Sequence, residues 1–162
     1  MFTKVCDFGW MIEGFEIGHL KGQNQGEHKL HLVPIIFEYE DIDIYNNHGL
    51  NYATIAHLQS LGLIRFGDDH DFSWYGFPKN TTLFYFDRPY NLSLEEPNYN
   101  KKWYSISVGL VLLTRAGYEL ARVCERKPVD GFYEYAVARW EKMRLAEEKM
   151  RLEKKKRELP KP

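Results

Sequence analysis

Residues 51–66 read Asn51-Tyr52-Ala53-Thr54-Ile55-Ala56-His57-Leu58-Gln59-Ser60-Leu61-Gly62-Leu63-Ile64-Arg65-Phe66. Asn51 offers a short polar side chain to the unpaired N–H groups of a helix start, and Ile55, Leu58 and Leu61 recur at a spacing of three on one face. Gly62 can take the left-handed conformation that ends a helix. The stretch therefore predicts a helix over 52–61. A short strand of Leu63, Ile64 and Phe66 follows at once and stops at Gly67-Asp68-Asp69. Immediately upstream, Asn46-Asn47-His48-Gly49 has the composition of a sharp turn.

Working outward, Leu30 to Tyr45 fits neither the period of 2 nor that of 3.6 cleanly; Pro34 suits the first position of a helix, so the segment reads as helix to Tyr45. Downstream, Thr82–Asp87 and Trp103–Leu113 are rich in aromatic and β-branched residues and read as strands. In the second, Tyr104, Ile106, Val108, Leu110 and Leu112 alternate with Ser105, Ser107 and Gly109. A long polar loop from Asp87 to Lys102 would join the two as a hairpin. Thr114 caps a helix of about 115–125, ended by Lys127-Pro128. Asp130 caps a last helix, with Phe132, Ala136, Val137, Trp140 and Met143 at helical spacing. Beyond Met143 the chain is mostly charged, and Glu-Lys-Met-Arg-Leu occurs at both 141–145 and 148–152. Two such repeats are too few for a coiled coil, so this part reads as an exposed helical extension.

Helix, turn, helix, strand, long loop, strand, helix is the order of a winged helix, with 52–61 as its second helix and 87–102 as its wing. The expected fold is thus α+β: a winged-helix-like domain over 30–143 with a long β-hairpin wing, an irregular segment over 1–29 and a charged helical tail over 144–162. Leu58-Gln59-Ser60-Leu61-Gly62-Leu63-Ile64 and Leu112-Leu113-Thr114-Arg115-Ala116-Gly117-Tyr118-Glu119-Leu120 resemble the segments that bracket the wing in many bacterial winged-helix domains. Three further groups of residues carry a second resemblance: Phe2-Thr3-Lys4-Val5-Cys6, Tyr45-Asn46-Asn47-His48-Gly49-Leu50, and Glu119-Leu120-Ala121 with Gly131-Phe132-Tyr133-Glu134-Tyr135. Together they resemble the C-terminal region of a bacterial family of uncharacterised proteins, a domain of unknown function. That resemblance implies no activity and no catalytic residues. It implies an upstream part missing from this chain, in keeping with the apolar pattern already under way at Phe2, Val5 and Phe8.

The composition sets the function classes. The chain has 162 residues, 44% hydrophobic and 28% charged, enough to bury one core. Its net charge of −1 hides a division, because the acids outnumber the bases up to Asp130 and the bases outnumber the acids beyond it. An acidic body counts against indiscriminate phosphate binding. Cys6 and Cys124 form neither a Cys-x-x-Cys pair nor a framework of bridges and look like thiols of a reducing compartment, so a cytoplasmic location is expected. No stretch approaches the roughly 20 apolar residues of a membrane helix.

The outward residues of helix 52–61 would be Thr54, His57, Gln59 and Ser60, none of them basic, whereas a groove-reading helix carries Arg, Lys, Asn or Gln. Phe132, Ala136, Val137 and Trp140 need a surface to pack on, so this helix is expected to be partly covered by 132–143. The reading is a non-enzymatic regulatory or protein-interaction module of a bacterial protein, with a protein partner or a second copy. Trp74, Tyr75 and Phe77, beside Gly76 and Pro78 rather than inside a strand, are its interface candidates. One alternative is a DNA-binding regulator using Arg88, Lys101 and Lys102 of the wing and Lys154, Lys155, Lys156 and Arg157 of the tail. Another is an enzyme with an unrecognised site near His70 and Asp71, though no nucleophile accompanies them. His28 and His31, with His19 and Glu27 near, have metal-like composition but not ligand spacing. No metal, cofactor or small-molecule ligand is expected.

Overall fold

Helix α3 (Tyr52–Ser60) forms where residues 51–66 place it. The Asn51 side chain accepts from the Thr54 N–H at 2.9 Å, and Gly62 takes a φ of +69° just past the end. The computed structural model describes residues 1–14, 29–36, 42–67, 72–77, 80–93 and 104–158. His19, Glu27, His28, Asp68, Asp69, His70, Asp71, Lys101 and Lys102 lie outside the described residues, as does the central part of the expected wing loop.

The order of elements is α1 (Phe2–Asp7), β1 (Gly9–Gly14), β2 (Lys29–Pro34), α2 (Ile42–Asn46), α3, β3 (Ile64–Phe66), β4 (Phe72–Phe77), β5 (Asn80–Tyr85), β6 (Arg88–Ser93), β7 (Tyr104–Gly109), β8 (Val111–Leu113), α4 (Arg115–Ala121) and α5 (Phe132–Glu158). The fold is mixed α+β. Antiparallel β2-β1-β5-β6 form the main sheet, and β3-β8 and β4-β7 form two smaller ladders.

The N-terminal segment is not irregular over 2–14. Its helix and strand lie at the centre of the molecule: β1 is hydrogen-bonded on both sides, to β2 from Gly9 opposite Pro34 to Gly14 opposite Lys29 and to β5 at Met11 and Ile12. Phe8, Trp10 and Ile12 are wholly buried. The division drawn at residue 30 is crossed by this pairing. The expected helix from Pro34 is likewise corrected. Residues 29–34 are strand, with Pro34 as its last residue, and among the described residues that follow, helix α2 runs from Ile42 to Asn46. A short apolar run enclosed by structure on both faces has no periodicity that separates strand from helix.

The hairpin also differs from the expected one. Among the described residues, 82–87 and 104–113 do not pair with each other. β5 turns tightly through Phe86 and Asp87 into β6, so the start of the expected wing loop is itself a strand. The 104–113 stretch breaks at Gly109–Leu110 and pairs with β4 and β3 in turn. Hairpin β5–β6 is therefore inserted into the long β3/β4 and β7/β8 arm and joins the main sheet instead.

Thr114 caps α4 by accepting from Gly117 N–H at 3.1 Å, and its hydroxyl also donates to Gly62 O at 2.6 Å, tying the ends of α3 and α4 together. A Cβ at Gly117 would overlap the Leu63 carbonyl oxygen, so only glycine lets α4 lie this close. The helix ends at Ala121, short of Glu125. Lys127 does not stop it; its N–H instead donates to Asp7 Oδ1 at 2.8 Å. Helix α5 packs its first turns on the main sheet. Phe132 is wholly buried with ring contacts to Phe8, Tyr45 and Tyr85, and Trp140 stacks on Tyr90 while donating to Ser107 O at 2.9 Å. Past Met143 the described side chains are largely exposed, as expected for the extension.

Candidate functional site

Among the described residues of the folded body, α3 presents a largely exposed face. Only Ile55 and Leu58 of this helix are buried; Ala53, Ala56, His57, Gln59 and Ser60 are exposed. Tyr52 and Leu61, at its two ends, are 62% and 56% exposed although both are large and apolar. The expected cover by 132–143 is absent, because α5 finds its packing surface on β1, β5, β6 and β7. No Asp, Glu, Lys or Arg stands between Asp43 and Arg65, so α3 carries no acidic side chain and no Lys or Arg.

The polar groups on that face are largely engaged within the helix itself. Thr54 Oγ1 donates to Gly49 O at 3.2 Å and lies 3.1 Å from Asn51 Oδ1, and Ser60 Oγ donates to His57 O at 2.7 Å. His57 and Gln59 remain as the outward groups suited to directional hydrogen bonding. Between the two large end residues, the methyl groups of Ala53 and Ala56 leave room for a partner to approach closely.

The residues singled out in the sequence fall in several places. Trp74, Tyr75 and Phe77 are inside a strand after all: β4 pairs them with Ile106, Ser105 and Tyr104; their side chains lie outside the described part. Arg88, the first residue of β6, is engaged. It donates to Glu134 Oε1 at 2.6 Å and lies 3.7 Å from the centre of the Tyr133 ring. The bond with Glu134 raises the Arg88 pKa and holds the Glu134 carboxyl below its usual range. Lys154, Lys156 and Arg157 are exposed on the last turns of α5; Lys155 sits among them with its side chain outside the description. These lie on the extension, whereas Arg88 lies on the body. His31 is on β2 with its ring 5.8 Å from that of Tyr118, and among the described residues no group of three His, Cys, Asp or Glu could hold a metal.

A second polar region was not visible in the sequence. At the C-terminal end of α1, Asp7 is buried; its carboxylate accepts from Lys127 N–H and its carbonyl accepts from Tyr85 Oη–H at 2.9 Å. Tyr85 Oη in turn accepts from Val129 N–H at 2.8 Å. Arg126 donates to Gly9 O at 3.1 Å and lies 4.8 Å from the centre of the Phe86 ring. Burial pushes the Tyr85 phenol up to about 12 and lowers Arg126. Cys6 lies in the same region; burial first, and the Cys124 thiol second, push it up to about 12. A recess of about 350 Å³, lined by Thr3, Lys4, Asp7, Glu125 and Lys127, opens beside it. At neutral pH Cys6 is a protonated thiol and Tyr85 a neutral phenol, both engaged in structure, which is the wrong state for a nucleophile or a general base. Nothing local marks this cluster in the sequence, because its members come from both ends of the chain and from β5.

Comparison with known proteins returns no matching family model, no matching curated protein and no matching solved structure. Among the described residues no helix is long and apolar enough to cross a membrane.

Proposed function

We propose that this chain is a non-enzymatic regulatory or protein-interaction module of winged-helix type, akin to the C-terminal region of the bacterial domain of unknown function it resembles, and that α3 is its contact surface. The order α2, turn, α3, β3, then a strand arm returning through β8 to α4, supports the winged-helix reading with a hairpin inserted in the arm. One observation carries the functional reading: the exposed face of α3 has no acidic side chain and no Lys or Arg, yet it presents Tyr52 and Leu61 to solvent. A helix that docks in a nucleic-acid groove places cations near phosphates and amides or guanidinium groups on base edges. Such a face, with aromatic and aliphatic ends, suits a protein surface, where such residues act as anchors.

Among the described residues, Arg88 is the basic candidate on the body; it is exposed but already paired with Glu134 and set over the Tyr133 ring, which weakens the nucleic-acid alternative. That alternative keeps the exposed cations of the α5 extension, whose binding would be electrostatic and steeply dependent on salt. The test is paired. Cross-linking in cells that naturally make the protein is expected to join it to a discrete protein partner or a second copy, with no retardation of duplex DNA at physiological salt. Retardation that persists at that salt, with no protein cross-link, overturns the proposal.

A further inference from the structure

The repeat Glu-Lys-Met-Arg-Leu at 141–145 and 148–152 lies on α5 (Phe132–Glu158), and the fold decides which of its residues are presented. Phe132, Ala136 and Trp140 are buried against the body, whereas Glu141, Leu145, Leu152 and Lys156 are exposed. At about 100° per residue, these four exposed residues fall on one stripe, on the side of the helix opposite Ala136. Leu145 and Leu152 are 56% and 49% exposed although large and apolar. The stripe thus runs acid, leucine, leucine, base, and the body does not stand in front of it.

We propose that this stripe pairs α5 with α5 of a second copy, antiparallel, in an isologous dimer. The sequence along the stripe is its own complement when reversed. With Leu145 opposite the partner's Leu152, Glu141 comes opposite the partner's Lys156, and the two-fold axis repeats both pairs. At the centre, Glu148 and Lys149 meet the same two residues of the partner, two charges of each sign. Charge also sets the direction. A parallel pair lays the run Lys154-Lys155-Lys156-Arg157 beside its own copy and Glu141 beside Glu141, like on like. The antiparallel pair instead brings each cationic run to the end of the partner's stripe that carries Glu141. From Glu141 to Lys156 the contact is about 23 Å long. That is short for an interface, so the dimer is expected to be weaker than about 1 µM. This surface is separate from α3 and leaves α3 open.

The test is sedimentation equilibrium of the full chain at physiological salt, over a concentration series reaching about 1 mM. A monomer–dimer equilibrium is expected. Leu145→Asp should weaken it by roughly tenfold or more, with helix content and melting at monomeric concentrations unchanged, because residue 145 is exposed. Glu141→Lys should weaken it roughly tenfold by setting like charges together twice, and Glu141→Lys with Lys156→Glu should restore it to within about threefold. Orientation is read by mixing a Leu145→Cys chain with a Leu152→Cys chain under mild oxidation and mapping the linked peptides, with a 145–152 link expected. A monomer throughout the series, links of 145 to 145 or 152 to 152 in its place, or no restoration by the double substitution would each overturn the proposal. So would a dimer lost with Leu61→Asp and kept with Leu145→Asp, which would place the contact on α3.

Discussion

The two halves of this fold use their large side chains in opposite ways. Around β1, β5, β6 and the first turns of α5, aromatic rings are turned inward: Trp10 is wholly buried, stacks on Tyr133 at 5.4 Å and meets Trp140 edge-on at 4.9 Å. Around α2, α3, β3, β8 and α4 the elements are short, the buried residues few, and Tyr52 and Leu61 are left in solvent. Stability is therefore concentrated in the first region and accessible surface in the second. A protein that must keep one helix free for a partner needs its anchorage elsewhere, and the aromatic stack under α5 supplies it.

If this contrast is right, substitutions rank accordingly. Phe132→Ala removes a wholly buried ring that touches Phe8, Tyr45 and Tyr85 and should cost about 4 kcal/mol in urea unfolding; a loss under 1 kcal/mol would mean the stack is not the anchor. Gly117→Ala sharpens the comparison from the other side, because it tests the tightest contact of the second region. It should cost roughly 2–3 kcal/mol, since neither the Leu63 carbonyl nor the α4 backbone is free to give way.

Tyr85→Phe leaves the Val129 N–H and the Asp7 carbonyl without their shared hydroxyl and should cost about 2 kcal/mol at neutral pH. It has a second readout in alkali. Tyr85 is raised from 10.0 to about 12 on folding and Cys6 from 9.0 to about 12. Both contributions are fully present below the unfolded values and lost as pH rises through the folded ones, so stability should fall between about pH 9 and pH 12. Tyr85→Phe should flatten the part of that fall above pH 10, and an unchanged profile would show that the phenol is not where the structure puts it.

How much of this was legible beforehand follows from the range of the interactions. The Asn51 cap, Gly62 and the Thr114 cap are decided within a few residues, and all three stand as expected. Strand β1 is different: Gly9 to Gly14 shows no alternation because it is paired on both edges and covered by Tyr133 and Trp140 from the far end of the chain. The β5–β6 turn was hidden for another reason. Its first turn residue, Phe86, takes a φ of +54° without being Gly, Asn or Asp, so the composition gave no turn signal. For the candidate surface, the sequence points Thr54, His57, Gln59 and Ser60 outward but sets Leu61 on one face with Ile55 and Leu58; the exposure of Tyr52 and Leu61 depends on where α5 packs, which is a question of tertiary fit.

At the lower end of the series, Asn51→Ala should cost about 1 kcal/mol by removing the α3 cap. His57→Ala should change stability by less than about 0.5 kcal/mol, being exposed, whereas Tyr52→Ala also loses the edge contact of its ring with Phe66 and should cost about 0.5–1 kcal/mol. His57→Ala thus separates folding from function, because any effect it has on association cannot come from unfolding.

A photo-cross-linking residue placed at position 57 reads the α3 surface in the cell of origin, with the same residue at position 119 on exposed α4 as the reference. A discrete protein adduct is expected from position 57, reduced by Leu61→Asp and absent from position 119. Adducts to nucleic acid from position 57, or the same protein adducts from both positions, would contradict α3 as the contact surface.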